Sequence, residues 1–214
     1  MIFSNRAEAA SRLARRLASY QGKSPLVLAI PRGAVPMAKI IADQLGGELD
    51  VVLVRKLRSP YNPEFAIGSI DENGWTYIAD YAEEAGADKD YIEREKQAQL
   101  ETMRNRRAQY TPVRPPIDPT GRIVIVVDDG LATGATMISA LHALRTRHPA
   151  RLICAVPVAS PDTVKKVSAY ADEMICLETP VYFEAVGQFY ADFPQIEDDE
   201  VVNILRHSMP TAKI

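Results

Sequence analysis

Two adjacent carboxylates, Asp128 and Asp129, stand between a strongly apolar run and a loop of small residues. Val124-Ile125-Val126-Val127 is β-branched throughout and reads as a strand buried on both faces. The loop Gly130-Leu131-Ala132-Thr133-Gly134-Ala135-Thr136 follows, and Met137, Leu141 and Leu144 then recur at helical spacing. The free N–H groups of a helix start form an anion site, and small side chains let a phosphate approach that backbone closely. The acids cannot share that phosphate, because like charges repel; they suit hydroxyl groups or a cation beside it. The run therefore describes a phosphate cradle next to a diol or Mg²⁺ clamp, a site for a sugar phosphate. The plainer alternative is a strand-to-helix turn whose acids only cap the helix.

The thirteen-residue run resembles the PRPP-binding motif of the type I phosphoribosyltransferases, PRPP being phosphoribosyl diphosphate. The resemblance implies that Asp128 and Asp129 meet the ribose hydroxyls and are the catalytic acids. It implies that residues 130–136 wrap the 5′-phosphate. Ile30-Pro31-Arg32-Gly33-Ala34-Val35-Pro36 is similar to the family's pyrophosphate loop, where backbone N–H groups, often around a cis non-proline peptide, meet the diphosphate. Gly33 and Ala34 would supply that backbone and Arg32 a side-chain contact. Members with the most similar pattern usually have a second glycine where this chain has Ala34. Arg55-Lys56 resembles the basic pair that holds pyrophosphate after the next strand. Asn62-Pro63-Glu64, Ala66-Ile67-Gly68 and Phe183-Glu184-Ala185-Val186-Gly187 extend the likeness over nearly the whole chain, to a bacterial subfamily of unassigned acceptor.

By that resemblance a nitrogenous base displaces pyrophosphate from PRPP, with Mg²⁺ as cofactor. The metal would be carried by PRPP near Asp128 and Asp129, without a direct protein cage. Some purine-specific members have a carboxylate four residues after the first acid; Ala132 stands there, as in adenine phosphoribosyltransferases, so no loop-borne general base is expected. Tyr182, Phe183 and Glu184 are candidates for the acceptor site, since aromatic faces suit a planar base. Packing of these residues onto the core is an equal alternative.

The elements that must position these groups follow from hydrophobic period. Residues 4–20 read as an amphipathic helix with Asn5 and Glu8 at capping-box spacing. Residues 26–30 read as a buried strand, Ala38, Ile41, Ala42 and Leu45 as the next helix, and residues 51–54 as a second strand ending in Arg55-Lys56. Strand, helix and strand in that order imply parallel pairing through a right-handed crossover. Apolar alternation around Asn73-Gly74 predicts a hairpin, and residues 81–110 a charged helix. Further strands are expected at 122–127, 152–158 and 174–177, and a final helix from Glu197 to about His207. The expected fold is α/β, a Rossmann-like parallel sheet with a hairpin and helical insertion at 58–119 and a small C-terminal hood at 178–208, within one domain, 1–214. Ligands of such sheets bind outside the carboxyl ends of the strands, where Arg32, Arg55-Lys56, Asp128-Asp129 and Glu178 would collect.

Composition narrows the function classes. With 47% hydrophobic and 25% charged residues, the 214-residue chain is globular in type. A net charge of −3 gives no general attraction to nucleic acid, and the cluster Arg104-Asn105-Arg106-Arg107 reads as a solvated helix face. The apolar runs are of strand length, and Met1 to Arg6 lack the layout of a signal peptide, so the cytoplasm is expected and no membrane partner. Cys154 and Cys176 read as buried thiols. The expected partners are PRPP and a small base, with a homodimer left open. Two other classes compete: a non-catalytic PRPP-binding regulator, and a receiver-like phosphorylation domain. The latter places its acids after its first strand and lacks a following phosphate loop. No Walker A pattern is present, since the loop reads Gly130-Leu131-Ala132-Thr133-Gly134.

Overall fold

In the computed structural model, which describes residues 2–63 and 65–208, the apolar runs assemble as a five-stranded sheet. Its strands are β1 (Leu26–Ala29), β2 (Glu48–Val51), β6 (Ile123–Val127), β7 (Arg151–Val158) and β8 (Glu173–Glu178), in the order β2-β1-β6-β7-β8. All four pairings are parallel. From β1 the chain winds one way to β2, and from β6 the other way to β7 and β8. The carboxyl ends of β1 and β6 therefore flank the point where the winding reverses, which is where such sheets open a crevice.

Strand alternation divides the core into two faces. Val27, Ala29, Ile125 and Val127 meet α1 (Arg6–Arg16), α2 (Val35–Leu45) and α6 (Asp198–Arg206). Leu26, Leu28, Val124 and Val126 meet α4 (Ala135–Arg145) and Val167 of α5 (Pro161–Ser168). Helices on both faces explain why the strand runs are apolar throughout instead of alternating. The α/β class, with a Rossmann-like parallel sheet, is as expected from sequence.

Three local boundaries differ from expectation. The apolar run 51–54 is not one strand. β2 ends at Val51, the chain turns at Val52 and Leu53, and Val54 opens β3 (Val54–Arg58). β3 pairs antiparallel with β4 (Ala66–Asp71), which pairs with β5 (Thr76–Ile78) in a separate three-stranded sheet. Arg55 and Lys56 thus ride on that second sheet and not on the end of a core strand. Val52 and Leu53 are themselves buried, so burial hides the change of partner in the sequence. The charged helix starts late: α3 (Lys89–Tyr110) is capped by Asp88, whose carboxylate accepts from Tyr91 N–H, and turns fill residues 81–86. The first helix stops at Arg16, and a 3₁₀ turn covers Ala18–Tyr20.

The hairpin forms as expected, with the Asp71 carboxylate accepting from Asn73 and Trp75 N–H. The basic cluster on α3 is partly neutralised: Arg106 pairs with Asp198 and Arg107 with Glu72. Cys154 is buried, Cys176 partly so, and both are free thiols. Among the described residues no helix is long and apolar enough to cross a membrane.

Candidate functional site

A cleft of about 360 Å³ opens at the carboxyl ends of β1 and β6. Asp128, Asp129, residues 130–134 and Thr136 line it, together with Arg32, Gly33, Arg55 and Lys56. Some residues expected there do not line it. Ala34 and Ala135 are buried beneath the loops, each beside the first turn of a helix. Nor do Tyr182, Phe183 and Glu184: Tyr182 is 90% exposed, and the Phe183 ring packs on Phe189. Glu178 is paired with Arg12. Of the Asn62-Pro63-Glu64 motif, Pro63 lines the cleft, while Glu64 lies outside the described residues.

The loop after β6 is held by its neighbours. Leu131 N–H donates to the Val158 carbonyl, and the Thr163 hydroxyl donates to that of Ala132. Gly134 sits at φ +75, and a Cβ there would come 2.7 Å from Val167 Cγ2. Only glycine meets both the left-handed backbone and the close helix contact. From the other side the Ser69 hydroxyl of β4 donates to the Ala135 carbonyl, so the second sheet buttresses the start of α4.

The helices differ in how they are capped. Asn5, Asp88 and Ser160 cap α1, α3 and α5 with their side chains. At α2 and α4 the capping residues are Ala34 and Gly134, and neither makes a side-chain cap bond. In α2, Val35 N–H donates to the Arg32 carbonyl and Pro36 has no N–H, so that start offers an anion little free backbone. In α4, Ala135 N–H lies 3.4 Å from Thr133 Oγ1, and the N–H groups that follow it in the turn face the favourable end of the helix dipole. The bond Pro31–Arg32 that precedes α2 is a cis peptide.

Beside the α4 start lies the acid pair. Burial pushes the Asp128 carboxyl well above the ordinary carboxylate range, and the charge of Asp129 adds to it. Burial also raises Asp129, against the opposing effect of Arg6. Asp129 N–H donates to Asp128 Oδ1. On the other flank the cations are partly paired, Arg32 with Glu197 and Asp198, Arg58 with Glu95 and Arg106 with Asp198. Burial lowers the Arg55 guanidinium, and repulsion from Arg106, Arg58 and Arg32 lowers it further. A site that strains acids on one side and cations on the other suits a ligand with hydroxyls and a polyanion.

Sequence reasoning gave no site role of their own to two groups, Arg58 and Arg6. Arg58 also lines the cleft, with Nε 2.8 Å from Glu95 Oε1; its spacing of two from Lys56 on a strand was a usable signal. Arg6, 123 residues from Asp129 in sequence, donates to that carboxylate through Nε and Nη2 at 3.1 and 2.9 Å. Nothing local marks it out.

A family model described as the phosphoribosyl transferase domain matches residues 2–194. The chain belongs to this family. Phosphoribosyl transferases from two strains of Mycobacterium tuberculosis, CDC 1551 and H37Rv, so named provisionally, are 42% identical over 208 residues. That alignment covers 95% of this chain and 46% of theirs, so the chain spans about half the length of the curated relatives it matches. The crystal structure of TT1426 from Thermus thermophilus is 44% identical, with a TM-score of 0.81 over 98% of this chain and 100% of that one. The family match ends at residue 194, before α6.

Proposed function

We propose that this phosphoribosyltransferase domain transfers the phosphoribosyl group of PRPP to a nitrogenous base and releases pyrophosphate. The observation that carries the reading is the convergence on one cleft of the α4 start and its loop, the acid pair, and the cations Arg32, Arg55 and Lys56. The α4 start and loop 130–136 would take the 5′-phosphate. Asp128 and Asp129 would accept from the ribose hydroxyls. Arg32 and Lys56 would take the diphosphate, with Arg55 adding to the positive field.

Departure of pyrophosphate leaves positive charge on the sugar and adds negative charge to the leaving group. In this reading the buried acids would stand beside the first and the arginines beside the second, so both would be stabilised by groups already in place. Mg²⁺ fits this residue set. Asp128 and Asp129 both line the cleft, and Mg²⁺ commonly binds through one or two carboxylates plus substrate phosphates. When bound it would neutralise the diphosphate and ease its departure; Asp128 and Asp129 are the residues that would hold it.

One observation favours a second reading, a PRPP-binding regulator without turnover: none of Tyr182, Phe183 and Glu184 lines the cleft. The test is in two parts. PRPP with Mg²⁺ should raise the unfolding midpoint, by about 2.7 kcal/mol of linkage at a hundredfold excess over Kd, and ribose 5-phosphate should raise it less. Incubation with PRPP, Mg²⁺ and a panel of bases, read by mass spectrometry, should then yield a nucleotide and pyrophosphate. No midpoint shift with saturating PRPP defeats both readings; a shift without product from any base favours the regulator.

A further inference from the structure

Arg6 is placed where a helix least favours a cation. It is the first residue of α1, at the positive end of the helix dipole, yet it is only 9% exposed. Its guanidinium engages three groups far away in sequence. Nε and Nη2 both donate to Asp129 Oδ2, and Nη1 donates to the Pro194 carbonyl at 2.7 Å. Its Cζ lies over the Phe193 ring, 3.7 Å from the centroid. That ring stacks in turn on Tyr190, whose hydroxyl donates to the Asp129 main-chain carbonyl at 2.6 Å. The segment 190–194 therefore grips Asp129 twice, at the side chain through Arg6 and at the backbone through Tyr190.

The arrangement is also directional. Both Arg6 contacts fall on one carboxylate oxygen, Oδ2, and leave Oδ1 outside the ion pair. A carboxylate pinned by one oxygen keeps its other oxygen at a defined position, which lowers the ordering cost when a hydroxyl binds.

We propose that Arg6 is a positioning residue, which fixes Asp129 so that Oδ1 meets a ribose hydroxyl and makes that geometry conditional on docking of segment 190–194. The inference rests on the PRPP reading of the cleft. Within it, a residue of the first helix and the segment after β8 belong to one functional unit with the β6 loop.

A double-mutant cycle tests this, with PRPP and Mg²⁺ titrated calorimetrically into the full chain. Arg6→Gln should weaken PRPP binding at least tenfold. Arg6→Lys should recover part of the loss, since an ammonium keeps the charge but not the forked contact. In an Asp129→Asn background, Arg6→Gln should change affinity less than twofold, because the oriented group is already altered. Equal losses in both backgrounds would assign Arg6 a general structural role and overturn the proposal, as would undiminished affinity in Arg6→Gln. If Arg6→Gln does not fold, the Arg6→Lys cycle decides by the same criterion of non-additivity. Wild-type protein that fails to bind PRPP overturns the reading of the cleft and the inference with it; binding with additive variants overturns the inference alone.

Discussion

Gly33 and Asp129 interlock across the cleft: a Cβ on Gly33 would lie 2.1 Å from Asp129 Oδ2. One residue follows β1 and the other follows β6, so the contact joins the two loops that flank the reversal in strand order. The missing side chain of Gly33 is what lets the carboxylate lie there while paired with Arg6.

Gly33→Ala should therefore displace a carboxylate that has little room to move. We expect PRPP affinity to fall about tenfold or more, and stability by about 1–3 kcal/mol, the usual range for overpacking. Calorimetry and denaturant unfolding measure the two effects. Wild-type affinity in the alanine variant would show that the acid relocates freely and that the interlock has no role in binding.

The acid pair makes the ligand-free protein sensitive to pH in a defined direction. Both carboxyls titrate above their ordinary value of 3.8 in the folded state. Above that value the unfolded chain has released protons that the folded chain retains, so fewer protons are bound on unfolding and stability falls as pH rises. The decline should run from about pH 4 up through the range in which the folded pair ionises. Asp128→Asn should flatten it and melt higher than wild type at pH 7. A tenfold change in proton affinity corresponds to about 1.4 kcal/mol, and each kcal/mol to roughly 2–4 °C in a chain of this size. Thermal melts of both proteins between pH 4 and 8 provide the check; a stability that climbs over that range in wild type but not in the variant would contradict the assigned direction.

Anchoring and chemistry separate by substitution along the β6 loop. Asp128→Asn and Asp129→Asn remove charge near the reacting carbon, and turnover should fall on the order of a hundredfold or more with a smaller change in PRPP affinity. Thr136→Val removes a hydroxyl from the phosphate cradle and should act mainly on affinity. Steady-state rates, or slow PRPP hydrolysis where no acceptor is in hand, distinguish the two patterns. Unchanged rates in both asparagine variants would mean that the loop binds PRPP without driving its reaction.

The buttress between the two sheets should show in stability. Ser69 Oγ lies 2.7 Å from the Ala135 carbonyl and 2.6 Å from Ser139 Oγ, and both serines are fully buried. Ser69→Ala leaves buried polar partners unmatched, at about 1–3 kcal/mol. A melting point within a degree of wild type would show that the Ser139 hydroxyl finds another partner.

The sequence by itself determined whatever is local. Strand, acid pair, small-residue loop and helix follow one another within residues 123–145, because a helix start and the strand before it build a phosphate cradle from contiguous backbone. Binary pattern likewise marked the core strands and the Asn73-Gly74 hairpin. Tertiary structure alone decided what depends on distant partners. Residues 51–54 are apolar on both sides of the break, so only pairing with β1 or with β4 assigns Val51 and Val54 to different sheets. An aromatic tail is equally able to line a cleft or lie open, and packing left Tyr182 exposed while it placed Phe193 against Arg6. Arg6 looks like an ordinary surface cation until the fold brings Asp129 to it, because a buried charge is legible only through the counter-charge that makes its burial affordable.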